Sequence, residues 1–433
     1  MRRSPPALLV CGGALFVACA ALGGLTGLPA RIPLFLAVYG AAFTAYAAAI
    51  AFLPRALPSS RHLLVFVIGV GVLCRLALVP ARPALSTDIY RYVWEGRVVL
   101  AGENPFALAP DADALAPLRD ASPGEINHPH LETIYPPLAQ AVFALGAWIA
   151  PEPWAQKVLF TLFDLTTMLV LVSLLRRRGR DPAWVLVFAW SPLVVFETAH
   201  SGHVDAAGVC LLVAGVWLSG AGRRAWGVVA LAGAFLVKYT SALLVPFLAR
   251  RRSTAPWLLL GAAIVVVGYL PFAPAGAKLF SSLRLYGTEW RFNGLAYAAL
   301  VGLWDHATGA RLLLAAALAA FALWQAWRQA DLARYAFLVI GCALLLAPTL
   351  YPWYLLWIVP FLCLFPHRAW ILLTGLVFAS YWSWVVLARE GQWGLPAVVW
   401  VVEYVPFFAL FAYDALRRRS SRGILGGGAE RSQ

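Results

Sequence analysis

Long, uninterrupted apolar runs divide this sequence, and they constrain its fold more than any other feature. Three of them follow one another at 7–28, 33–54 and 62–80. A helix of about 20 apolar residues is long enough to cross a lipid bilayer, whereas membrane β-barrels have short segments of alternating polarity. With 62% hydrophobic and only 12% charged residues, the chain carries more apolar side chain than a soluble protein buries. The sequence therefore predicts an all-α, polytopic transmembrane helical bundle and excludes soluble enzymes and disordered proteins.

The basic residues predict how the chain is oriented. Arginines cluster where apolar runs end, at 176–180, 250–252 and 417–419, which is typical of cytoplasmic loops. With Arg2 and Arg3, this pattern predicts cytoplasmic termini and, at about 20 residues per crossing, about 12 to 14 membrane segments. Because most of the formal net charge of +14 marks such loops, nucleic acid is not expected as a partner.

Three stretches need a separate interpretation. The first apolar segment contains Ala-Cys-Ala at 18–20, a pattern typical of a signal-peptide cleavage site. Because another apolar segment follows at once, a retained helix is favoured over a cleaved signal peptide. Residues 138–150 are short and framed by prolines, which predicts an interfacial or re-entrant helix. Arg224 and Arg250 both mark cytoplasmic ends, so two half-crossings are expected to meet near Lys238, at the external side.

These features divide the chain into parts with different expected environments. The predicted parts are N-terminal transmembrane helices (1–80), an external loop with interfacial helices (81–153), a transmembrane helical core (154–422) with external loops at 199–206, 273–308 and 348–354, and a disordered cytoplasmic tail (423–433). Residues 81–137 alone hold eight of the 20 acidic residues. We therefore expect the chemistry to lie on the external face.

The loop begins with a stretch that predicts a helix. If Thr87 or Asp88 caps it, then Asp88, Arg91 and Glu95 share one helix face, because residues three and four apart are neighbours there. Two interpretations remain open. The stretch is either a salt-bridged interfacial helix or a carboxylate held at the membrane surface to accept a proton.

Two further polar clusters interrupt the apolar core. His200, His203 and Asp205 lie between two apolar runs, and Lys238-Tyr239 lies inside a third. Ionisable groups at such depth are costly and predict a functional site. The alternatives are a capping turn at Ser201 or Asp205, and a lysine that pairs with Asp205 or reaches the interface instead of binding phosphate.

The remaining candidates lie in the expected external loops. Arg284 and Arg291 run against the tendency of basic residues to be cytoplasmic, and arginine suits phosphate oxygens. Tyr351, Trp353 and Tyr354 form either an aromatic belt or a surface on which a sugar stacks. Neither the His128-Pro129-His130 turn, which has no clear third ligand, nor the cysteines have metal-ligand spacing, so no metal is expected.

Several motifs in this order resemble one family. The order resembles the GT-C glycosyltransferases that use polyprenyl-phosphate sugars, especially the catalytic subunit of the first mannosyltransferase of GPI-anchor synthesis and its bacterial relatives. The stretches that carry the resemblance, between about residues 85 and 365, are Asp88, Gly102-Glu103-Asn104-Pro105-Phe106, Thr133-Ile134-Tyr135-Pro136-Pro137-Leu138, Lys157 to Asp164, Ser191-Pro192-Leu193, Ser201-Gly202-His203-Val204-Asp205, Lys238-Tyr239, Arg291-Phe292-Asn293 and Tyr351 to Trp357.

The resemblance implies inverting transfer of a hexose, mannose above all, from a polyprenyl-phosphate donor to a lipid-linked or glycan acceptor. It gives Asp88 the role of general base, although Ile89-Tyr90 stand where the family has a further acidic residue. The resemblance also implies a donor that can react without a metal, so no cofactor is expected and a divalent metal is not required, although it is not excluded. The alanine- and arginine-rich composition suggests a bacterial inner membrane, with the site facing the periplasm.

Within this interpretation, three cations are assigned to the donor phosphate: Lys238, Arg291 and Arg284. The residues assigned to substrate binding are Arg91, Glu95, Tyr135, His200, His203, Asp205, Tyr239, Asn293, Tyr351, Trp353 and Tyr354. The alternatives are a transporter or flippase of a lipid-linked or small anionic substrate, and a non-catalytic scaffold. A transporter would place its ionisable residues in broken helices of matching repeats near the membrane midplane.

Overall fold

The chain forms an all-α bundle. The structure, a computed structural model, describes residues 6–56, 58–119 and 126–426. It is 79% helical, and in the described residues the only bridges of β type are isolated ones, which Phe292 and Asn293 make to Thr349. The predicted fold class is therefore confirmed. Arg2, Arg3 and residues 427–433 of the expected tail lie outside the described residues, and the last helix continues to Gly426.

Eight helices of the described chain are long and apolar enough to cross a membrane. They are Pro6–Gly24, Leu28–Pro54, Arg61–Leu78, Pro153–Arg177, Trp257–Glu289, Ala307–Arg328, Arg368–Glu390 and Ala397–Arg417. Their outward faces carry large exposed side chains, such as Leu259 and Leu312, as expected of helices in contact with lipid rather than water.

Shorter helices complete the bundle. One pair, Pro182–Ala189 and Pro192–His200, is bent by 58° and counts as a ninth span if it is continuous. The shorter apolar helices are Pro137–Ile149, Asp205–Gly220, Arg224–Val237, Leu295–Trp304 and Leu332–Leu346. The other short helical segments include Asp88–Leu100, Asp113–Leu115, Ala116–Arg119, Tyr239–Leu244, Val245–Arg250, Pro352–Trp357 and Val359–Leu364. Residues 138–150 thus form a short helix, as the flanking prolines predict.

The chain reverses direction at Lys238. The helix Arg224–Val237 ends there, and Lys238 is extended, with φ −159° and ψ 137°. The following turn runs back beside the helix, because the Ser241 hydroxyl donates to the carbonyl oxygen of Leu231 at 2.9 Å. Arg224 and Ser253 line one surface depression, so both flanks reach the same end of the bundle. The expected hairpin is present.

An ion pair joins three segments inside the bundle. Arg75 pairs with Asp164, and their side chains are 0% and 1% exposed. Arg75 also donates to the carbonyl oxygens of Gly71 and Ala189, both at 2.8 Å. A charge buried in an apolar bundle needs a partner of this kind, so this pair fixes how these segments pack against one another.

The loop helix Asp88–Leu100 is organised around one buried carboxylate. Glu95, 1% exposed, accepts hydrogen bonds from Arg91 at 2.8 Å and from Thr133 and Gln140 at 2.7 Å each. The helix begins at Asp88, and Thr87 precedes it without a side-chain cap bond. Arg91 and Glu95 therefore share a face, as predicted, and that face points into the loop rather than to solvent.

Arg91 ties the returning part of the loop to this helix. Its Nη1 donates to the carbonyl oxygens of Asn127 and His128 at 3.0 and 2.9 Å, and its Nη2 donates to that of Leu131 at 2.6 Å. A planar guanidinium with several fixed donors suits such a fork of acceptors. The position of Asn127 beside Asp88 depends on this clamp.

Gly96 allows the loop helix to lie against the helix Pro137–Ile149. A Cβ atom on Gly96 would lie 2.2 Å from the carbonyl oxygen of Phe143, so no other residue permits this approach. Tyr92, on the same helix, stacks on Phe143 with ring centroids 4.5 Å apart. The two helices therefore form a rigid base for the segment that carries Asp88.

Arg91→Met tests whether the clamp holds the loop. It leaves Glu95 buried without its counter-ion, and removing one partner of a buried pair costs about 3 to 5 kcal/mol. We expect normal membrane insertion, a lower melting temperature and faster proteolysis between residues 101 and 136. The control is Arg82→Met, which removes an exposed arginine near the loop start. Equal protease sensitivity of the two variants would contradict the prediction.

Candidate active site

The separate polar stretches of the sequence meet around one cavity. It encloses about 650 Å³ and is lined by residues from 85–91, 127–136, 238–239, 282–291, 351–354 and two later tryptophans. The loop around Arg291 is held to the loop around Tyr351 by two backbone bonds, from Phe292 N–H to Pro348 O at 3.1 Å and from Leu350 N–H to Phe292 O at 2.7 Å. Segments far apart in sequence thus line one shared cavity.

Asp88 presents its carboxylate to this cavity. Its side chain is 21% exposed, and Asn127 donates to its Oδ1 at 2.7 Å. Asp88 is the first residue of the loop helix, where unpaired backbone N–H groups favour a negative charge. The second oxygen, Oδ2, lies 3.9 Å from Nδ1 of His203. The carboxylate is oriented from one side and accessible from the other.

Lys238 faces the same cavity but already has a partner. Its Nζ donates to both carboxylate oxygens of Asp205, at 2.7 and 2.9 Å, and Asp205 also accepts from Trp357 Nε1 at 2.6 Å. The lysine side chain remains 25% exposed and lies 4.5 Å from the centroid of the Tyr354 ring. The sequence leaves two roles open for Lys238, pairing with Asp205 or facing a ligand site. In the structure, Lys238 both pairs with Asp205 and lines the cavity.

Stacked rings form one wall of the cavity. Phe292 stacks on Tyr351 at 4.6 Å, Tyr351 on Trp353 at 4.5 Å, and Trp353 on the His203 ring at 4.1 Å. The Tyr354 ring stands perpendicular to that of Trp353. The hydroxyl groups of Tyr354 and Tyr286 share a hydrogen bond at 2.5 Å. Two adjacent aromatic residues thus contact different groups: Trp353 stacks on His203, and Tyr354 lies beside Lys238.

The predicted cations differ in their surroundings. Arg291 is exposed and lines the cavity. Arg284 is exposed too, but it donates to the carbonyl oxygen of Ala277 at 3.0 Å and is not among the lining residues. Arg91 lines the cavity, yet its donors are engaged by Glu95 and the loop carbonyls. Arg291 and Lys238 are therefore the cations best placed to meet an anionic ligand.

Tyr135 and Tyr239 also line the cavity. Burial raises the pKa of Tyr135 well above its usual range, and burial likewise raises that of Tyr239. Tyr239 shares a hydrogen bond with the hydroxyl of Tyr269 at 3.1 Å. Both phenols are therefore neutral hydrogen-bonding groups rather than acids or bases at ordinary pH.

Five of the predicted binding residues lie behind the cavity wall. Glu95 belongs to the loop clamp, and His200 stacks on Phe196 at 4.3 Å. Asn293 donates to the buried carboxylate of Glu403 at 2.6 Å. His203 and Asp205 are buried as well, and they contact the lining residues Asp88, Trp353 and Lys238. Direct contact with a substrate stays a prediction for these residues.

His128 faces Asp88 from the returning loop. Burial and then the positive charge of Arg91 lower its pKa, so it is a neutral imidazole at neutral pH, packed 4.9 Å from the Trp290 ring. In the described part of the chain, no three His, Cys, Asp or Glu side chains come together as a metal site. That the protein requires no metal stays a prediction.

Comparison with known proteins identifies the family. The family model described as alpha-(1->6)-mannopyranosyltransferase, N-terminal domain, matches residues 32–252, just over half of the chain. This protein belongs to that family. The predicted resemblance to GT-C mannosyltransferases is thereby confirmed, and the matched region contains Asp88, His203, Asp205 and Lys238.

One curated relative of this mannopyranosyltransferase family member is alpha-(1->6)-mannopyranosyltransferase A of Mycobacterium tuberculosis (strain ATCC 25618 / H37Rv). The two sequences are 28% identical over 174 residues, which cover 38% of this chain and 33% of the relative. The match therefore spans about a third of the relative's length. No solved structure matches the chain.

In and behind the cavity wall of this family member lie further residues to which the sequence assigns no role. Asn127 lines the cavity and directly precedes the His128-Pro129-His130 turn, but its residue type alone gives no functional signal. Trp384 and Trp393 line the cavity but follow residue 365, where the resemblance ends. Glu197, which lies 3.2 Å from His203 Nε2, is an acid inside an apolar run. The position of Glu197 in an apolar run could have been recognised from the sequence, because ionisable groups in such runs indicate functional sites.

The pairing of Lys238 with Asp205 gives a stability prediction for this mannopyranosyltransferase family member. Lys238→Met leaves Asp205 buried and unpaired, at a cost of about 3 kcal/mol, and should lower the melting temperature. Lys238→Met combined with Asp205→Asn should recover most of the loss, because the amide oxygen still accepts from Trp357. Thermal unfolding in detergent measures both. A double variant as unstable as Lys238→Met would contradict the role of the pair.

Proposed function

We propose that this protein is an integral-membrane, inverting mannosyltransferase that uses a polyprenyl-phosphate mannose donor and a lipid-linked or glycan acceptor. Asp88 is its general base. The observation that carries the proposal is a carboxylate and a cation facing one aromatic-walled cavity, both inside the region matched by the family. The relative's name, alpha-(1->6)-mannopyranosyltransferase A, supports mannose as the sugar transferred.

The proposed step needs a base and a cation on opposite sides of the sugar. The acceptor hydroxyl gives its proton to Asp88 while its oxygen forms a bond to the anomeric carbon. The bond from that carbon to the phosphate oxygen breaks, and the lipid phosphate leaves with the electron pair. Lys238 and Arg291 are suited to meet this developing negative charge. The proton on Asp88 then passes to water.

The acceptor is assigned to the end of the cavity near Asp88. Trp384 donates from Nε1 to the carbonyl oxygen of Leu85 at 3.2 Å, and the Trp393 ring, 45% exposed, stands perpendicular to it at 5.2 Å. These rings offer a broad apolar face beside the base. Ligand sites are commonly built this way, with aromatic walls and a few oriented polar groups.

The external side of the membrane is part of the proposal. It rests on the arginine clusters at the ends opposite the cavity and on the loop helices that cover it. Arg224 and Ser253, for example, lie at one end of the hairpin, whereas Lys238 lies at its tip. In a bacterial cell this places the cavity on the periplasmic side of the inner membrane.

Asp88→Asn tests the general base. An amide does not accept the proton, so transfer should fall by about 100-fold or more, while insertion and melting temperature stay as in the wild type. The assay follows labelled polyprenyl-phosphate mannose into lipid and glycan products of membrane extracts. The control, Asp111→Asn, makes the same chemical change at an exposed loop residue.

Equal product from the wild type and Asp88→Asn would refute the base assignment. Movement of labelled donor across sealed vesicles without any mannosylated product would instead favour the transporter alternative.

Arg291→Met tests the donor end of the cavity. Because Arg291 is exposed, its loss should leave folding intact and raise the apparent KM for the donor about tenfold, which corresponds to one charge-assisted bond to phosphate. The KM for the acceptor should change little. Arg82→Met is the matched loss of one exposed positive charge. An unchanged donor KM, or equal effects of the two variants, would count against the assignment.

A further inference from the structure

A buried group of ionisable side chains lies directly behind Asp88. Nδ1 of His203 is 3.9 Å from Asp88 Oδ2, and its Nε2 is 3.2 Å from Glu197 Oε2. The other oxygen of Glu197 accepts from the Tyr381 hydroxyl at 2.8 Å. The imidazole thus lies between two carboxylates, one facing the cavity and one buried in the bundle.

Two carboxylates and the face of an indole ring surround His203. A neutral imidazole donates from one nitrogen only, whereas an imidazolium presents an N–H group to each carboxylate. Both ring nitrogens are buried and make no aligned hydrogen bond, so the two carboxylates are the nearest polar partners of the imidazole. The Trp353 ring lies parallel to the imidazole at 4.1 Å, and the face of a tryptophan attracts a cation.

The backbone fixes His203 in this position. Gly202 has φ 73°, and a Cβ atom there would lie 2.4 Å from Ile89 Cδ1. Ile89 follows Asp88 in the loop helix, so the turn carrying His203 packs directly against the helix carrying the base. The N–H group of His203 also donates to the carbonyl oxygen of Glu197 at 3.0 Å. The ring therefore has little freedom to leave the carboxylates.

We infer that His203 is a positioning residue for the proposed reaction. As an imidazolium held by Glu197, it keeps the carboxylate of Asp88 ionised and aimed at the acceptor hydroxyl. This role rests on the proposed function of Asp88 as general base. His203 itself contacts no substrate, so it differs from the binding role that the sequence suggests for it.

The other charged groups nearby are already engaged. Lys157, whose Cγ would meet a Cβ on Gly202, donates its Nζ to the carbonyl oxygens of Leu78 and Ala81. Asp205 pairs with Lys238, and Arg91 with Glu95. His128, on the cavity side of Asp88, is neutral at neutral pH because burial and Arg91 lower its pKa. Glu197 and Asp88 are therefore the anions left to hold His203.

The test is the pH profile of kcat/KM for mannose transfer, whose acid limb follows the ionisation of the base. His203→Gln removes the cation, so the carboxylate is protonated more easily and the acid limb should move up by about one pH unit. His203→Gln combined with Glu197→Gln removes both buried charges and spares the protein an unpaired carboxylate. The double variant should show the same upward shift.

His200→Gln is the matched control. It makes the same substitution in the same turn, at a histidine that stacks on Phe196, and it should leave the acid limb in place whatever it does to the rate. Activity lost equally at every pH in His203→Gln and in the double variant would overturn the inference. If His203→Gln does not fold, the double variant decides the question by the same two outcomes.

Failure of this inference is distinguishable from failure of the proposed function. Full activity of Asp88→Asn would remove the base assignment and the inference with it. Loss of activity in Asp88→Asn, together with an unshifted acid limb in the His203 variants, would overturn the inference alone.

Discussion

The buried ion pair between Arg91 and Glu95 is the interaction on which the cavity depends. Glu95 accepts hydrogen bonds from Arg91, Thr133 and Gln140. The other N–H groups of Arg91 donate to carbonyl oxygens of the returning chain. The described parts of the loop before Asp120 and after Glu125 are thereby held against each other. Without this pair, Asn127 has no fixed position from which to orient Asp88.

The same requirement, that charge away from water must be paired, recurs through the molecule. Arg75 and Asp164 join helices in the bundle, and Lys238 and Asp205 join the hairpin tip to the start of another helix. Burying a pair of charges gives little net stability, but removing one partner is costly. Such pairs are therefore better suited to specifying which segments meet than to stabilising the fold.

The sequence predicts the elements of this structure better than it predicts their partners. Apolar runs, prolines, helically spaced charges and basic flanks are local signals, so the helices, the loop helix at Asp88 and the reversal at Lys238 could be predicted. The contact of Asp88 with Asn127 and that of His203 with Glu197 depend on how distant or bent segments pack. Lys238 illustrates the limit, because its charge predicts a partner or a ligand without deciding between them.

Pairing also shapes how the proposed reaction ends. A leaving lipid phosphate needs positive charge while the bond breaks, but two uncompensated cations would also hold the product. Because Asp205 accepts two bonds from Lys238, the lysine can offer its remaining donor direction to phosphate without a full excess charge. Arg291 is exposed at the cavity, where water screens it. This combination assists departure of the phosphate and still allows its release.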